Sequence, residues 1–353
     1  MIKNEYNVIG VMSGTSLDGV DVIYTRLSFT THWSFKIIHT ETISYTNTWF
    51  KTLKNLVHLS LDDIKAIDVD YTTYLAGIIK GFIARHNIVN IDAVCSHGHT
   101  ALHQPQHKLT YQIGNLPSLA HMLQQKVVCD FRVQDVALGG QGAPLVPIGD
   151  ALLFSNYDYC LNLGGFANIS NQYQTNRIAY DICPVNIVLN TYAEQLGYKY
   201  DNKGLLAASG SYIKTLGEAL SALDFYKIKH PKSLGLEWVN KNIIPLIASN
   251  KTYRAEDVLH TFTKHIATEI LRVVKENSKI LITGGGAYNS YLISQLKAYK
   301  NLDIIIPNKD LLEFKEALIF AFLGVLKLRG EVNCLKSVTG ALNDHSSGEI
   351  YNY

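Results

Sequence analysis

Hydrophobic positions alternate with polar ones through Asn7–Val11, Val20–Leu27 and Ser34–Ile43, which predicts three strands joined by short connections, an antiparallel opening to a sheet. The period then changes. From Leu61 to Arg85, apolar residues recur at Ile64, Ile67, Tyr71, Leu75, Ile78, Ile79 and Phe82, the spacing of one face of a long helix. A buried strand at Ile91–Cys95, a strand at Tyr111–Ile113, a helix at Leu116–Leu123 and a strand at Val127–Cys129 continue the alternation, and the whole predicts an α/β fold.

Near Asp130 the regular pattern stops, and Gly139-Gly140-Gln141-Gly142-Ala143-Pro144 carries too much glycine and proline for regular structure. A hinge is expected between Asp130 and Pro147, with one α/β domain over residues 1–130 and a second over 131–353. After it the opening plan returns. Tyr159–Leu163 reads as a strand, Gly164-Gly165 as a turn and Phe166–Ser170 as a second strand. Further on, Ala255–Lys275 has helical periodicity, Lys279–Thr283 is a strand, Gly284–Gly286 a turn, Asn289–Tyr299 a helix and Leu311–Arg329 a mostly apolar helix. The two halves repeat an architecture without repeating a sequence.

The turn between the first two strands, Gly14-Thr15-Ser16-Leu17-Asp18-Gly19, followed by Val20 and Asp21, concentrates small residues, hydroxyls and carboxylates behind an apolar strand. Glycine admits close approach of backbone N–H groups to an anion, Thr15 and Ser16 add donors, and Asp18 and Asp21 suit a hydrated metal ion. The stretch reads either as a phosphate cradle or as a hairpin turn rich in small residues. It is neither a P-loop, lacking the closing Gly-Lys-Ser/Thr, nor a dinucleotide fingerprint, since a strand follows it instead of a helix. Gly164-Gly165 occupies the corresponding place in the second half, and two such turns suit a nucleotide held between domains. Gly284-Gly285-Gly286 reads either as a platform for a flat ligand or as close helix–strand packing.

Composition narrows the class. The 353 residues are 47% hydrophobic and 18% charged, with a net charge of +2, so no basic field marks a nucleic-acid partner. No apolar run reaches the roughly 20 residues of a spanning helix, and the first residues lack the apolar core of a signal peptide, which makes a cytoplasmic enzyme the expectation. The five cysteines, Cys95, Cys129, Cys160, Cys183 and Cys334, are widely spaced and mostly within apolar strands. They read as reduced packing residues, with no disulfide framework or zinc site implied. His97, His99, His103 and His107 lack the spacing of a helical metal motif.

Several motifs together resemble the bacterial anhydro-N-acetylmuramic acid kinases: Gly14-Thr15-Ser16-Leu17-Asp18-Gly19-Val20-Asp21, Asp130-Phe131-Arg132, Asp135-Val136-Ala137, Gly139-Gly140-Gln141-Gly142-Ala143-Pro144-Leu145-Val146-Pro147, Asn162-Leu163-Gly164-Gly165-Phe166-Ala167-Asn168 and Ser337-Val338-Thr339-Gly340-Ala341. They stand in family order over nearly the whole chain. The resemblance implies the two-domain actin, sugar-kinase and Hsp70-like fold with ATP and sugar in the cleft. It also implies an ATP-dependent opening of 1,6-anhydro-N-acetylmuramic acid by water that yields N-acetylmuramic acid 6-phosphate in cell-wall recycling, by a homodimer without nucleic-acid or membrane partners.

The same resemblance assigns residues. Asp181, expected just after a strand and before a helix, is the base for the attacking water, or on its local sequence alone a helix N-cap. Gly14 to Asp21, Asn162, Gly164, Gly165, Asn168, Gly284, Gly285, Gly286 and Asn289 are expected around ATP, with Asp18, Asp21 or Asp181 holding Mg2+. His97, Thr100, Arg132 and Glu316 are expected at the sugar, Arg132 as a bidentate partner for the lactyl carboxylate or else in a salt bridge to Asp135. Glu316, read as opening a helix, is alternatively a dipole cap. Relatives carry Asp-Thr-Gly-Pro where this chain has Asp181-Ile182-Cys183-Pro184. That departure leaves open another anhydro-sugar or a hexose as substrate, and a sugar-responsive nucleotide-binding regulator is the non-enzymatic alternative.

Overall fold

The structure is a computed structural model that describes residues 2–14, 17–250 and 252–353. Thr15 and Ser16, expected at the phosphate turn, lie outside the described residues. The chain divides into two compact units, residues 1–153 with 314–353 and residues 154–313.

The first unit opens with β1 (Glu5–Ser13), β2 (Val20–Phe29) and β3 (Trp33–Ile43), followed by α1 (Asn47–Asn55) and α2 (Leu61–Arg85). It continues through β4 (Ala93–Gln104), β5 (Leu109–Ile113), α3 (Ser118–Leu123), β6 (Val127–Cys129), α4 (Val133–Ala137) and α5 (Pro147–Leu153). In the second unit, β7 (Tyr159–Leu163), β8 (Phe166–Tyr173) and β9 (Asn176–Pro184) lead to α6 (Asn186–Gln195), α7 (Leu205–Ser209), α8 (Lys214–Ser221), α9 (Leu236–Asn242), α10 (Ile244–Ala248) and α11 (Ala255–Val273). After β10 (Lys279–Thr283), α12 (Ser290–Tyr299) and β11 (Asp303–Ile305), the long α13 (Lys309–Arg329) returns the chain to the first unit, where α14 (Lys336–Thr339) and β12 (Glu349–Tyr351) complete it.

The halves share one topology. In the first sheet the order is β12-β6-β4-β1-β2-β3, with β5 paired to β4; in the second it is β11-β10-β7-β8-β9. Each contains an antiparallel three-strand meander, β1-β2-β3 or β7-β8-β9, whose first strand pairs in parallel with a crossover strand, β4 or β10, and that strand with a further parallel one, β6 or β11. This duplicated plan is the fold that the resemblance implies.

The helix at Leu61–Arg85 starts and ends as its periodicity predicts. Ser60 caps it, its hydroxyl accepting the Asp63 N–H at 3.2 Å, and Ile64, Tyr71, Leu75, Ile79 and Phe82 are buried against the first sheet. Its buried Asp68 is satisfied by the Tyr111 hydroxyl at 2.8 Å and the Gly114 N–H at 2.6 Å, which fixes the turn between β5 and α3. On the same sheet, α13 packs so closely that a Cβ on Gly10 would stand 2.2 Å from the Ala317 carbonyl oxygen, and one on Gly324 2.2 Å from Cys95 Sγ.

The boundary expected at 130/131 falls instead at 153/154, and the expected second domain loses its last 40 residues to the first unit. Hydrogen bonding explains both shifts. The glycine-rich segment after Asp130 is tied back by Asp135, whose Oδ2 accepts the Gly142 N–H at 2.7 Å and whose Oδ1 accepts the Thr339 hydroxyl at 2.7 Å. β12 then pairs antiparallel with β6, closing the edge of the first sheet.

Candidate active site

In the second unit, β7 and β10 run parallel side by side, with Asn162 opposite Thr283. Their C-terminal ends therefore set Gly164-Gly165 and Gly284–Gly286 next to one another, the edge of a parallel sheet at which ligands meet exposed backbone. Gly284 requires glycine: its φ is +82°, and a Cβ there would lie 2.6 Å from Asn162 Oδ1 and 2.8 Å from the Leu163 carbonyl. Gly165 and Gly285 are exposed and open, the nearest atoms to an added Cβ being Ile187 Cβ at 3.9 Å and Asn186 Nδ2 at 3.8 Å. The start of α6 closes this edge, since the Asn186 and Ile187 N–H groups reach the Gly164 and Gly165 carbonyls at 3.3 Å.

Asn186 itself was not singled out from the sequence. Its amide donates to the Leu163 carbonyl at 3.3 Å, so it braces the turn on which Asn162, Gly164 and Gly165 stand, and its one signal is its place two residues beyond Pro184. Asn289, expected at the nucleotide, is buried and caps α12, its Oδ1 accepting the Leu292 N–H at 2.9 Å. That bond accounts for an asparagine there without a ligand.

Asp181 lies inside β9, not beyond it, directly across from the exposed Asn168 on β8. The register shifts between Ala167 and Asn168, so Ile182 is the extra residue of a bulge, a device that re-aims neighbouring side chains. Both Ile182 and Cys183 are buried in the core of the second unit. The departure from Asp-Thr-Gly-Pro is therefore absorbed by packing behind the strand. The outer edge of β9 is covered by a segment that carried no sequence signal. The Asp181 N–H donates to the Lys232 carbonyl at 3.1 Å, and the Leu234 N–H donates to Asp181 Oδ2 at 2.8 Å. Among the described residues only Oδ2 is engaged, and Oδ1 has no partner there. Burial raises the Asp181 carboxyl above the ordinary aspartate value, opposed by the Leu234 hydrogen bond.

In the first unit, β1 and β2 form the expected hairpin, with Gly14, Leu17, Asp18 and Gly19 in its connection. Leu17 has φ +60°, and a Cβ on Gly19 would lie 2.5 Å from the Ile43 carbonyl, so Gly19 is tightly seated. Asp18 is exposed, while Val20 is buried and Asp21 Oδ1 accepts the Thr42 hydroxyl at 2.6 Å. Beneath the turn, Ser13 Oγ joins Tyr45 at 2.5 Å, Tyr71 at 2.8 Å and His99 Nδ1 at 2.9 Å. Sequence reading missed this network because its members are scattered over β1, the β3–α1 connection, α2 and β4.

His97 and Arg132, both expected at the sugar, are in direct contact. Arg132 Nε donates to His97 Nε2 at 2.8 Å and Nη1 donates to the Gly142 carbonyl at 2.6 Å, while the guanidinium carbon stands 5.8 Å from the centre of the Phe320 ring. The alternative salt bridge to Asp135 does not form; that carboxylate accepts from Gly142, Thr339 and the Cys334 thiol. Because His97 Nε2 accepts, its proton resides on Nδ1, which donates to the Gly98 carbonyl at 2.8 Å. Burial, then the Arg132 charge, hold the His97 pKa well below its ordinary value, so the ring is neutral. Burial also pushes Arg132 down to about 10, opposed by Glu316, Cys334 and Asp135.

Glu316 does not open a helix. α13 begins seven residues earlier at Lys309 and breaks its helical dihedrals at Phe314 (φ −108°, ψ 15°). The surrounding protein raises the Glu316 carboxyl, and the charges of Arg132 and Lys315 pull it back. Lys315 is itself paired with buried Asp150 at 2.7 Å, a contact with no sequence signal. Thr100 sits opposite Gln112 where β4 pairs with β5, beside a register shift.

A sequence model described as anhydro-N-acetylmuramic acid kinase matches residues 6–353. A protein named anhydro-N-acetylmuramic acid kinase from Francisella tularensis subsp. novicida (strain U112) is 32% identical over 371 residues, covering 97% of each chain. Its namesake from Sulfurovum sp. (strain NBC37-1) is 34% identical over 366 residues, covering 99% of each. Among solved structures, the activator of the 2-hydroxyisocaproyl-CoA dehydratase from Clostridium difficile with bound ADPNP aligns with a TM-score of 0.45 at 12% identity, over 92% of this chain and 96% of that one. A ROK hexokinase from Thermus thermophilus aligns with a TM-score of 0.35 at 11% identity, over 90% of this chain and 99% of that one. The chain belongs to the anhydro-N-acetylmuramic acid kinase family.

Proposed function

We propose that this protein is an ATP-dependent kinase that opens 1,6-anhydro-N-acetylmuramic acid with water and phosphorylates O6, giving N-acetylmuramic acid 6-phosphate and ADP. The observation that carries the mechanism is the pair formed by Asp181 and Asn168, one cross-strand step apart and on the same sheet as the Gly164-Gly165 turn. A carboxylate with one oxygen pinned by the Leu234 N–H and the other open is an oriented base. Asp181 Oδ1 takes a proton from water as the water oxygen bonds to the anomeric carbon. The bond from that carbon to the bridging O6 breaks, and O6 takes the γ-phosphoryl group as ATP becomes ADP.

The other roles divide by unit. In the second, the adjacent glycine turns offer backbone N–H groups and open space to the nucleotide, Gly165 and Gly285 being the exposed members. In the first, Arg132 receives the lactyl carboxylate of the sugar, with the neutral His97 ring fixing the plane of the guanidinium, and Glu316 and Thr100 bind hydroxyls. Asp18 and Asp21 are hard oxygen donors that fit a hydrated Mg2+ brought in with ATP. The ion supplies charge neutralisation on the β- and γ-phosphates.

No helix among the described residues is long and apolar enough to cross a membrane. A cytoplasmic homodimer engaged in cell-wall recycling is the setting we infer, and light scattering of the purified protein tests the dimer. Incubation with ATP, magnesium and the anhydro-sugar in water labelled with heavy oxygen tests the reaction. Label is expected at the anomeric oxygen and phosphate at O6. ADP release no greater than without sugar would refute the assignment.

A further inference from the structure

Three buried side chains of the first unit converge without a part in this mechanism. Asp135 on α4, Cys334 just before α14 and His345 beyond it bring Oδ1, Sγ and Nε2 within 4.8 Å of one another. Sγ is 3.0 Å and Nε2 3.6 Å from Asp135 Oδ1. The placement is rigid. Cys334 and His345 face each other in an isolated antiparallel bridge, each N–H donating to the other's carbonyl at 3.1 Å, and Asp135 is held through its second oxygen by Gly142. Asp135 is fully buried, Cys334 is 1% exposed and His345 6%.

The informative atom is His345 Nε2. The Asn343 carbonyl lies 3.0 Å from Nδ1 and takes the ring proton there, so Nε2 presents a lone pair. Among the described residues that atom is buried without a hydrogen-bond partner, 3.6 Å from Asp135 Oδ1, which already accepts the Thr339 hydroxyl and the Cys334 thiol. A buried lone pair beside a carboxylate, with no donor to meet it, costs free energy unless a cation or a proton is shared with it. An imidazole whose far nitrogen is fixed by a backbone carbonyl is also the usual arrangement of a metal-bound histidine.

We propose that Asp135, Cys334 and His345 bind one zinc-class divalent ion, with water as a fourth ligand. Ordinary zinc bond lengths give tetrahedral edges of about 3.3–3.6 Å between such donors; the two edges at Asp135 Oδ1 are 3.0 and 3.6 Å, and the third lies within 4.8 Å. Binding displaces the Cys334 thiol proton to solvent and forms a thiolate–metal bond, with no change of oxidation state. A thiolate and an imidazole discriminate against magnesium, so this ion is distinct from the one that accompanies ATP. Its burial makes it structural. It ties residues 334–345 to α4, which begins directly after Arg132.

The test uses the full chain stripped by a chelator. Cobalt(II) titration is expected to produce a thiolate-to-cobalt charge-transfer band that saturates at one ion per chain and is displaced by zinc, and zinc should raise the melting midpoint. Cys334→Ser should abolish the band. His345→Gln should weaken binding at least about tenfold while leaving the metal-free midpoint and circular dichroism close to those of the parent. Absence of the band in the parent chain, its survival in Cys334→Ser, or unchanged binding in His345→Gln would each overturn the proposal, and the first needs no variant.

Discussion

The Nε–H of Arg132 donates to Nε2 of His97 across 2.8 Å, so a neutral histidine with its proton on the far nitrogen orients the cation assigned to the sugar carboxylate. Replacing His97 by alanine frees the guanidinium to rotate, and the KM for the anhydro-sugar should rise about tenfold with a smaller change in kcat. Arg132→Lys keeps the charge but loses the planar fork, and should lower kcat/KM by about 30- to 100-fold. Steady-state kinetics at saturating ATP measures both. An unchanged KM in both variants would remove this pair from the sugar site.

Asp181→Asn preserves shape and the Leu234 contact but cannot accept a proton. Turnover should fall by about a thousandfold, with ATP affinity by calorimetry within twofold of the parent. The parent's kcat/KM should decline on acidification through a pKa above 3.8, because burial raises this carboxyl and protonation removes the base. The same limb persisting in the residual activity of Asp181→Asn would assign it to another group.

Gly284→Ala puts a methyl group against Asn162 Oδ1 and the Leu163 backbone at a positive φ. Shifting β7 to relieve that clash would distort the neighbouring Gly164-Gly165 turn. A loss of about 1–3 kcal/mol in stability and a clear increase in ATP Kd are expected, read by thermal melting and calorimetry. Gly139→Ala, at φ +82° but with no atom within 4 Å of the added Cβ, is the control for backbone strain alone.

His99 is buried against Ser13, and burial lowers its pKa to about 4. Between that value and the unfolded value near 6.5, the unfolded chain binds the proton and the folded chain does not. Its contribution is therefore complete above pH 6.5 and is lost as pH falls toward 4, to a total of roughly 2–3 kcal/mol. His265, lowered to about 3 by burial, acts in the same direction. Asp130, raised to about 6, opposes both as pH rises from 3.8. His99→Gln should flatten the pH dependence of the melting midpoint over this range, and an unaltered slope would show that His99 does not contribute.

What the sequence disclosed follows from the range of the interactions involved. The span of α2, the first meander and the first two strands of the second were legible because local periodicity determines them, and the glycine turns because they follow apolar strands. The His97–Arg132 contact was expected only as a shared location. The cover on Asp181 by Lys232 and Leu234 was not legible, since any residue can supply a backbone N–H or carbonyl. The Lys315–Asp150 pair, the Ser13 network and the facing of Cys334 with His345 depend on packing between distant segments. The unit boundary was misplaced for the same reason: glycine and proline at 139–144 signal irregular backbone, and Asp135 decides which unit that backbone joins.

The pairing of β12 with β6, and the seat of Ala317 on Gly10, have a consequence for how the protein is made. A ribosome delivers residues 1–153 first, yet the edge of β6 and the face of β1 stay bare until residues 314–353 emerge, after the whole of the second unit. The unit begun first is finished last. During synthesis the early half is therefore an incomplete sheet with open apolar surface, while residues 154–313 carry a core of their own.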